Sequence, residues 1–336
     1  MGARGPRVAH GQRDLEEGQR IFCPGGTRPP VQEMIMFIDD HRDEFGVGSI
    51  CSVLPIAPSS YYAHLDVRRN PEKASDRVKQ DALDCKEIKR VFEGNRSCYG
   101  ARKVWHQLRR EGFDIARCTV ERLMKSMGIE GVKRGKKVTT TNPDTAQPCP
   151  DDKVNRKFEA QFPNQLWISD FTYVSTWQGM AYVAFITDVF ARKIVGWRVS
   201  TSMNTSFVLD ALNQAICQRR PANDQSLTHH SDRGSQYLSI RYSDRLVEAG
   251  IDASVDTVGD SYDNAMAETI IGLFKTEVIN MPNLGPWKSV GQLEWETAKW
   301  VHWYNTQRLH GAIGYITPQE AEEAFYERLN QTENAA

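Results

Sequence analysis

The chain has 336 residues, 40% hydrophobic and 25% charged, with Lys+Arg 42 against Asp+Glu 43 and a net charge of −1. That is ordinary globular usage with room for about two domains, which excludes wholesale disorder, and no run approaches the ~18 consecutive apolar residues of a membrane span. The seven cysteines (Cys23, Cys51, Cys85, Cys98, Cys118, Cys149, Cys217) form no Cys-x-x-Cys pair, so a zinc ribbon and a disulfide scaffold are disfavoured and a reducing, cytoplasmic setting fits.

Residues 1–33 carry Gly, Pro and Arg without periodicity and read as a disordered tail, with no apolar stretch of signal-peptide type. Residues 34–70 read as a helical segment. VQEMIMFIDDHRDEF is periodic, Gly46 to Gly48 break it, and a second helix starts with Pro58 in its first turn, followed by Ser59, Ser60, Tyr61 and Tyr62. This order resembles a helix-turn-helix DNA-reading unit, with a plain helical hairpin as the equal alternative.

Residues 77–137 hold three more helices, over 78–93, 101–111 and 118–127, with Gly112 and Gly128 at C-terminal stops. Charge is concentrated here: Lys86 to Lys137 carry 15 Lys/Arg and 6 Asp/Glu, so the rest of the chain carries about −10. A basic DNA-contacting arm on an acidic body follows, with Arg102, Lys103, Arg109, Arg110, Arg117, Arg122, Lys133, Arg134, Lys136 and Lys137 as candidate contacts; a solvated face is the plainer alternative. Residues 138–157 read as a linker.

From Phe158 the pattern turns to strands. NQLWISDFTYVST and MAYVAFITDVFARKIVGWRVS are β-rich, with Gln178-Gly179 at a turn. Helices over 204–219, 237–249 and 262–279 then alternate with the short strands SLTHHSD and IDASVD, and helices over 290–306 and 317–330 close the chain. This order predicts a mixed α/β sheet covered by helices.

Three acids stand out by their surroundings. Asp170 interrupts an otherwise apolar strand on the face of Ile168 and Thr172; a lone buried carboxylate is costly, and a bound cation is the natural compensation. Asp232 ends a short strand, rigid yet accessible, with a helix cap as the alternative reading. Glu268 lies among small apolar residues on a helix, two turns before Lys275 and on the same face. Together they supply hard oxygen donors suited to Mg²⁺ or Mn²⁺ rather than zinc.

The stretches WISDFTYV, HSDRGSQY, DSYDNAMAETIIGLFK and YNTQRLHGAIGYITPQE, with 35 residues between Asp232 and Glu268, resemble transposases of the Asp-Asp-Glu class with an integrase catalytic core. The resemblance is to the second-frame (OrfB) product of the IS-three family of bacterial insertion sequences, from about Met34 to Leu329. It implies a ribonuclease-H-like core over 158–285, a mixed five-stranded sheet with helices, completed by helices over 286–330 and preceded by small all-α helix-turn-helix segments. It also implies a DDE polynucleotidyl transferase with two Mg²⁺ ions per site, Mn²⁺ substituting. Asp170 would bridge both ions, Asp232 would hold one and Glu268 the other, and the pair would stabilise the attacking and leaving oxygens of DNA strand cleavage and transfer.

Lys275 would contact phosphate near the cut. His230 would order Asp232 or the scissile phosphate, Gly234 would serve turn geometry and Asn264 would cap the active-site helix. Asn305, Arg308 and His310 would either approach DNA or dock the last helices. The implied partners are DNA (element ends and target), the first-frame (OrfA) product or a fusion with it, and further copies of the chain on DNA, in the cytoplasm at the nucleoid and away from any membrane. The alternative function is a DNA-binding regulatory subunit, inactive without the first-frame partner.

The beginning departs from the family pattern. In place of the first-frame segment, Asp14 to Pro29 read DLEEGQRIFCPGGTRP. Codons permitted for that stretch, read one nucleotide out of phase, spell EILKKASAYFAQAELDR, an amphipathic helix resembling a first-frame zipper tail. Residues 1–33 are therefore expected to be an out-of-frame extension, with the true start near Met34 or Met36.

Overall fold

The computed structural model describes residues 30–133, 135, 160–221, 227–232, 236–255 and 265–334. The extension expected over 1–33 falls almost wholly outside these residues, but its boundary is corrected: the first helix begins at Val31, so residues 31–33 are helical. The linker expected over 138–157 also lies outside the described residues. The chain divides into two compact units at Leu83/Asp84. That division falls within the helix Asp76–Gly94 rather than at the linker.

The first unit contains α1 (Val31–Phe45), α2 (Val47–Val53) and α3 (Pro58–Arg69). The sequence pattern predicts two helices here; the structure has three, because Gly46 at φ +74° turns the chain for a single residue only and α2 starts at once. Met34, Ile35, Ile38, Ile50, Leu54, Ile56 and Tyr61 form its core. Tyr61, expected on a DNA-reading helix, is fully buried, and its hydroxyl donates to Asp39 Oδ1 at 2.7 Å. Tyr62 is the exposed one of the pair.

The helix Asp76–Gly94 (α4) leads into the second unit, where α5 (Ala101–Arg110) and α6 (Arg117–Ser126) follow. Gly112 and Gly128 both adopt positive φ just beyond their helices, as C-terminal stops require. Next come β1 (Leu166–Thr176), β2 (Gly179–Asp188), β3 (Lys193–Ser200), α7 (Thr205–Arg219), β4 (Thr228–Ser231), α8 (Ile240–Glu248), β5 (Asp252–Val255), α9 (Ala265–Phe274), α10 (Val290–Thr306) and α11 (Pro318–Asn334).

The described strands form one sheet in the order β3-β2-β1-β4-β5. The first three strands pair antiparallel, while β4 and β5 add in parallel after helical crossovers. β1 is therefore central. Strand alternation sends Trp167 to one face, with Phe207, Tyr237 and Tyr242 from α7 and the α8 region. Ile168 and Val174 face the other way, with Phe185, Ile270, Phe274 and Trp300 beneath α9 and α10.

The helix predicted over 262–279 is not uniform. Its α-helical part ends at Phe274, and Lys275–Ile279 form a π turn in which the Asn280 amide donates to the Lys275 carbonyl at 2.8 Å. At the far end of β2, Asp188 is fully buried and bonded to Arg219 Nη2 at 3.0 Å, which also bonds Glu322 of α11 at 2.7 Å.

Two histidines lie buried in this framework. His229 of β4 pairs with the Tyr242 hydroxyl at 3.1 Å, and burial pushes its pKa down to about 3. His310 packs edge-on against Tyr304, and burial, with Arg308 beside it, pushes its pKa down to about 2.

Two predictions follow from this packing. β3 runs hard against α7: a Cβ on Gly196 would stand 2.3 Å from the Ala211 carbonyl oxygen and 3.0 Å from Ala215 Cβ. Gly196→Ala is expected to lower stability by about 1–3 kcal/mol in urea unfolding. Because the folded chain keeps both histidines neutral, the unfolded chain binds more protons below its own histidine pKa of about 6.5. Stability should fall as pH drops below that value, by about 1.4 kcal/mol per pH unit per histidine. In urea titrations at pH 7 and pH 5, His229→Asn should lose correspondingly less than the parent.

Candidate active site

The site is built on strand register. β1 and β4 run parallel, with Ser169 opposite Ser231 as their last paired residues. One step further along the chain come Asp170, within β1, and Asp232, the residue after β4. Both side chains are half-buried. The Phe171 amide donates to Asp170 Oδ1 at 2.7 Å, and across the sheet Asp170 faces Phe185 of β2. Burial first, then the nearby charges of Asp232 and Asp170, hold the Tyr237 phenol well above the ordinary value. Asp232 does not cap the following helix, because Ser239 occupies the N-cap position of α8.

Glu268 lies in the first turn of α9, half-buried. α9 buries Ala267, Ile270, Ile271 and Phe274 in the same cluster as Ile168 and Val174 of β1, so it covers the sheet face that carries Asp170. The ladder thus sets Asp170 and Asp232 each one residue beyond its last pair, and Glu268 lies on the helix that covers the Asp170 face. Among the described residues, no three His, Cys, Asp or Glu side chains stand close enough to hold a metal ion as a closed cluster. Gly234 and Asn264 lie outside the described residues.

Lys275 opens the π turn, and its Nζ stands 5.7 Å from the centroid of the exposed Tyr173 ring of β1. None of the ion pairs among the described residues involves it. His230 is fully buried, with Nδ1 3.0 Å from Ser254 Oγ of β5. It braces β4 against β5 beneath the carboxylate pair.

The C-terminal candidates resolve in favour of docking. Asn305 Oδ1 accepts from the Ile194 amide at 2.9 Å, and its Nδ2 donates to the Ile194 carbonyl at 2.8 Å, pinning α10 to β3. Arg308 is buried against Glu277, and His310 Nε2 lies 3.3 Å from the Tyr304 carbonyl.

The basic block divides as well. Arg102 and Arg122 are exposed. Arg109, Arg117 and Lys133 make only surface pairs, with Asp114 at 3.6 Å, Glu121 at 3.1 Å and Glu130 at 2.9 Å. Such pairs are worth little and yield readily to phosphate. Lys103 is a correction: it turns inward, its Nζ 5.0 Å from the Tyr99 centroid, and burial followed by the Arg308 charge lowers its pKa to about 8. Arg110 is also exposed and bonds Glu320 of α11 and the Tyr315 carbonyl before it. Arg134, Lys136 and Lys137 lie outside the described residues.

Sequence reasoning missed Glu277. Its carboxylate is 4% exposed, accepts from Trp300 Nε1 at 3.0 Å, and takes Arg308 Nη2 at 2.6 Å and Nε at 3.0 Å. The available signal was an acid set between Phe274 and Val278-Ile279 in an apolar stripe.

Comparison with known proteins agrees with this architecture. Residues 160–261 and 249–318 each match an integrase core domain, and residues 79–137 match an HTH-like domain. The chain is 53% identical over 303 residues to the transposase for insertion sequence element IS629 of Shigella sonnei, covering 90% of this chain and 100% of the relative. It is 52% identical over 276 residues to a putative transposase for IS986/IS6110 of Mycobacterium tuberculosis, covering 81% of this chain and 97% of the relative. Among solved structures, the HTLV-2 integrase catalytic core domain in complex with magnesium matches 48% of this chain and 98% of its own at 17% identity, with a TM-score of 0.37. With relatives this similar along nearly their whole length, the chain belongs to the insertion-sequence transposases of the IS-three type, an HTH-like domain followed by an integrase core.

Proposed function

We propose that this chain is the catalytic subunit that cuts and joins DNA during transposition of its insertion sequence, with Asp170, Asp232 and Glu268 as a divalent-metal-dependent triad. The observation that carries this reading is the parallel pairing of β1 with β4, whose last pair, Ser169 and Ser231, immediately precedes Asp170 and Asp232, with Glu268 on the helix that covers the Asp170 face. The donor set fits Mg²⁺, with Mn²⁺ as substitute. Magnesium is usually held by one or two carboxylates, completed by water and substrate phosphate, and does not need an all-protein cage. Held by Asp170, Asp232 and Glu268, such ions would supply Lewis-acid stabilisation of the charge that develops on the scissile phosphate.

The chain's own residues do the rest. Asp170 and Asp232 present oxygen donors from a rigid strand pair, and Glu268 supplies the third carboxylate from α9. Lys275, on the Glu268 face of its helix, offers a cation to the DNA backbone beside the cut. No side-chain nucleophile is required, because water attacks in nicking and the freed 3′-hydroxyl attacks in joining. Arg102, Arg109, Arg117, Arg122 and Lys133 hold the duplex by its phosphates. The first-frame product, and further copies of the chain, complete the assembly on the element's ends.

The test is nicking and joining of a labelled duplex bearing the element's own end, by the chain alone and fused to the first-frame product, with Mg²⁺ or Mn²⁺. Asp170→Asn is expected to lower cleavage by at least roughly 100-fold, the scale of losing a preorganised electrostatic group, while leaving DNA affinity within about twofold. Cleavage by Asp170→Asn at the parent rate would sink the assignment. Binding should weaken with salt, and each phosphate contact removed, as in Arg102→Ala or Arg117→Ala, should lessen the log–log slope by about 0.9. Lys103→Met should leave that slope unchanged.

A further inference from the structure

We propose that Glu277 and Arg308 are positioning residues for the active site: their buried ion pair fixes the π turn that ends α9, and so sets where Glu268 and Lys275 stand relative to Asp170. This rests on the triad assignment above and goes beyond it, since neither residue approaches the carboxylates.

Four observations converge on it. The irregularity in the helix bearing Glu268 begins at Lys275, and π turns recur at functional sites, where they re-aim side chains. Glu277, inside that turn, is buried, and Arg308 engages both of its oxygens, Nη2 and Nε reaching Oε1 at 2.6 and 3.0 Å and Nε reaching Oε2 at 3.1 Å. The remaining bond, from Trp300 Nε1 at 3.0 Å, leads toward the catalytic strand. The Trp300 ring stands 5.2 Å from Phe274 and 5.6 Å from Phe185, and Phe274 lies 5.1 Å from Phe185. Phe185 is the cross-strand partner of Asp170.

A continuous path of packed and bonded groups therefore runs from Arg308 through Glu277, Trp300 and the Phe274–Phe185 pair to Asp170. It ties the end of α9 to the strand pair beneath it. A buried ion pair is a poor way to gain stability, since well-packed apolar residues of like volume do as well or better. Its directional bonds do what apolar packing cannot: they fix one register and one rotation of the helix end. Arg308 suits this because its planar fork engages both carboxylate oxygens at once. Glu268 rides on α9 and not on the sheet, so the placement of α9 decides whether the third carboxylate meets the other two.

The test uses conservative changes in the full chain. Glu277→Asp keeps the charge and retracts the carboxylate by one methylene; Arg308→Lys keeps the charge and removes the fork. Mn²⁺ binding to the complex of the chain with the element-end duplex is read by electron paramagnetic resonance. Cleavage rate, DNA affinity and thermal unfolding are measured alongside. Both variants are expected to unfold cooperatively and bind DNA within about twofold of the parent, yet to need roughly 10–100-fold more Mn²⁺ for half-saturation or to cleave slower by that factor, as when the outer supports of a metal site are altered.

A lowered melting temperature with unchanged Mn²⁺ binding and cleavage overturns the proposal, as does loss of folding in both variants, which would make the pair a determinant of the fold alone. Glu268→Gln separates the two levels. If it binds Mn²⁺ and cleaves like the parent, the triad assignment itself fails. If it is inactive while Glu277→Asp and Arg308→Lys match the parent, only the positioning role fails.

Discussion

The parallel ladder between β1 and β4 is the constraint on which the rest of this structure depends, because Asp170 and Asp232 immediately follow its last pair. Two negative charges about 5 Å apart, at the effective dielectric of about 20 that suits partly buried sites, would repel by about 3 kcal/mol. Flexible loops would let them drift apart. Here the parallel ladder between β1 and β4 prevents that, because Ser169 and Ser231 are fixed opposite one another by backbone hydrogen bonds immediately before the acids. β1 is central, so its position is set from both sides. The short strand β4 is itself anchored by two buried histidines, His229 toward Tyr242 and His230 toward Ser254.

Asp188 shows what a purely structural acid looks like in the same sheet. It lies at the end of β2, fully buried, with the Asn164 and Phe190 amides donating to it at 2.7 and 3.0 Å and Arg219 beside it. Its charge is answered within the protein, and through Arg219 it staples α7 and α11 to the sheet. Asp170, within β1, and Asp232, just after β4, remain half-buried. Burial, rather than residue type or strand membership, separates the two kinds of acid.

The basic helices share the core of the sheet. Tyr99, just before α5, receives the Leu309 amide on its hydroxyl at 2.7 Å and packs against Trp303 at 6.1 Å. Arg110 reaches Glu320 of α11. The HTH-like segment and the integrase core therefore meet through the C-terminal helices, and part of the positive charge of that segment serves this junction. Lys103 and Arg110 belong to the junction, whereas Arg102 and Arg122 remain at the surface. No helix among the described residues is long and apolar enough to cross a membrane.

Much of this was legible in the sequence. Strand alternation located β1 to β3 and showed that Asp170 sits in an apolar strand; 3.6-residue spacing placed α7 and α10 nearly to the residue and α11 at its start, ending it four residues early; the motifs around Asp170, Asp232 and Glu268 identified the family. These signals are local, set by backbone geometry and side-chain period. What the sequence left open was decided by partners distant along the chain. Whether Lys103 faces DNA or the core depends on the placement of Tyr99, whose hydroxyl accepts from the Leu309 amide more than two hundred residues away. Whether Arg308 and His310 touch DNA or dock helices depends on Glu277 and Tyr304. The π turn at Lys275 has no periodic signature, because it arises where the helix end must meet Trp300 and Arg308 at once. Sequence alone determined the elements and the candidate acids; tertiary structure decided which charges are spent inside the fold, because a charge buried against one partner is withdrawn from every other.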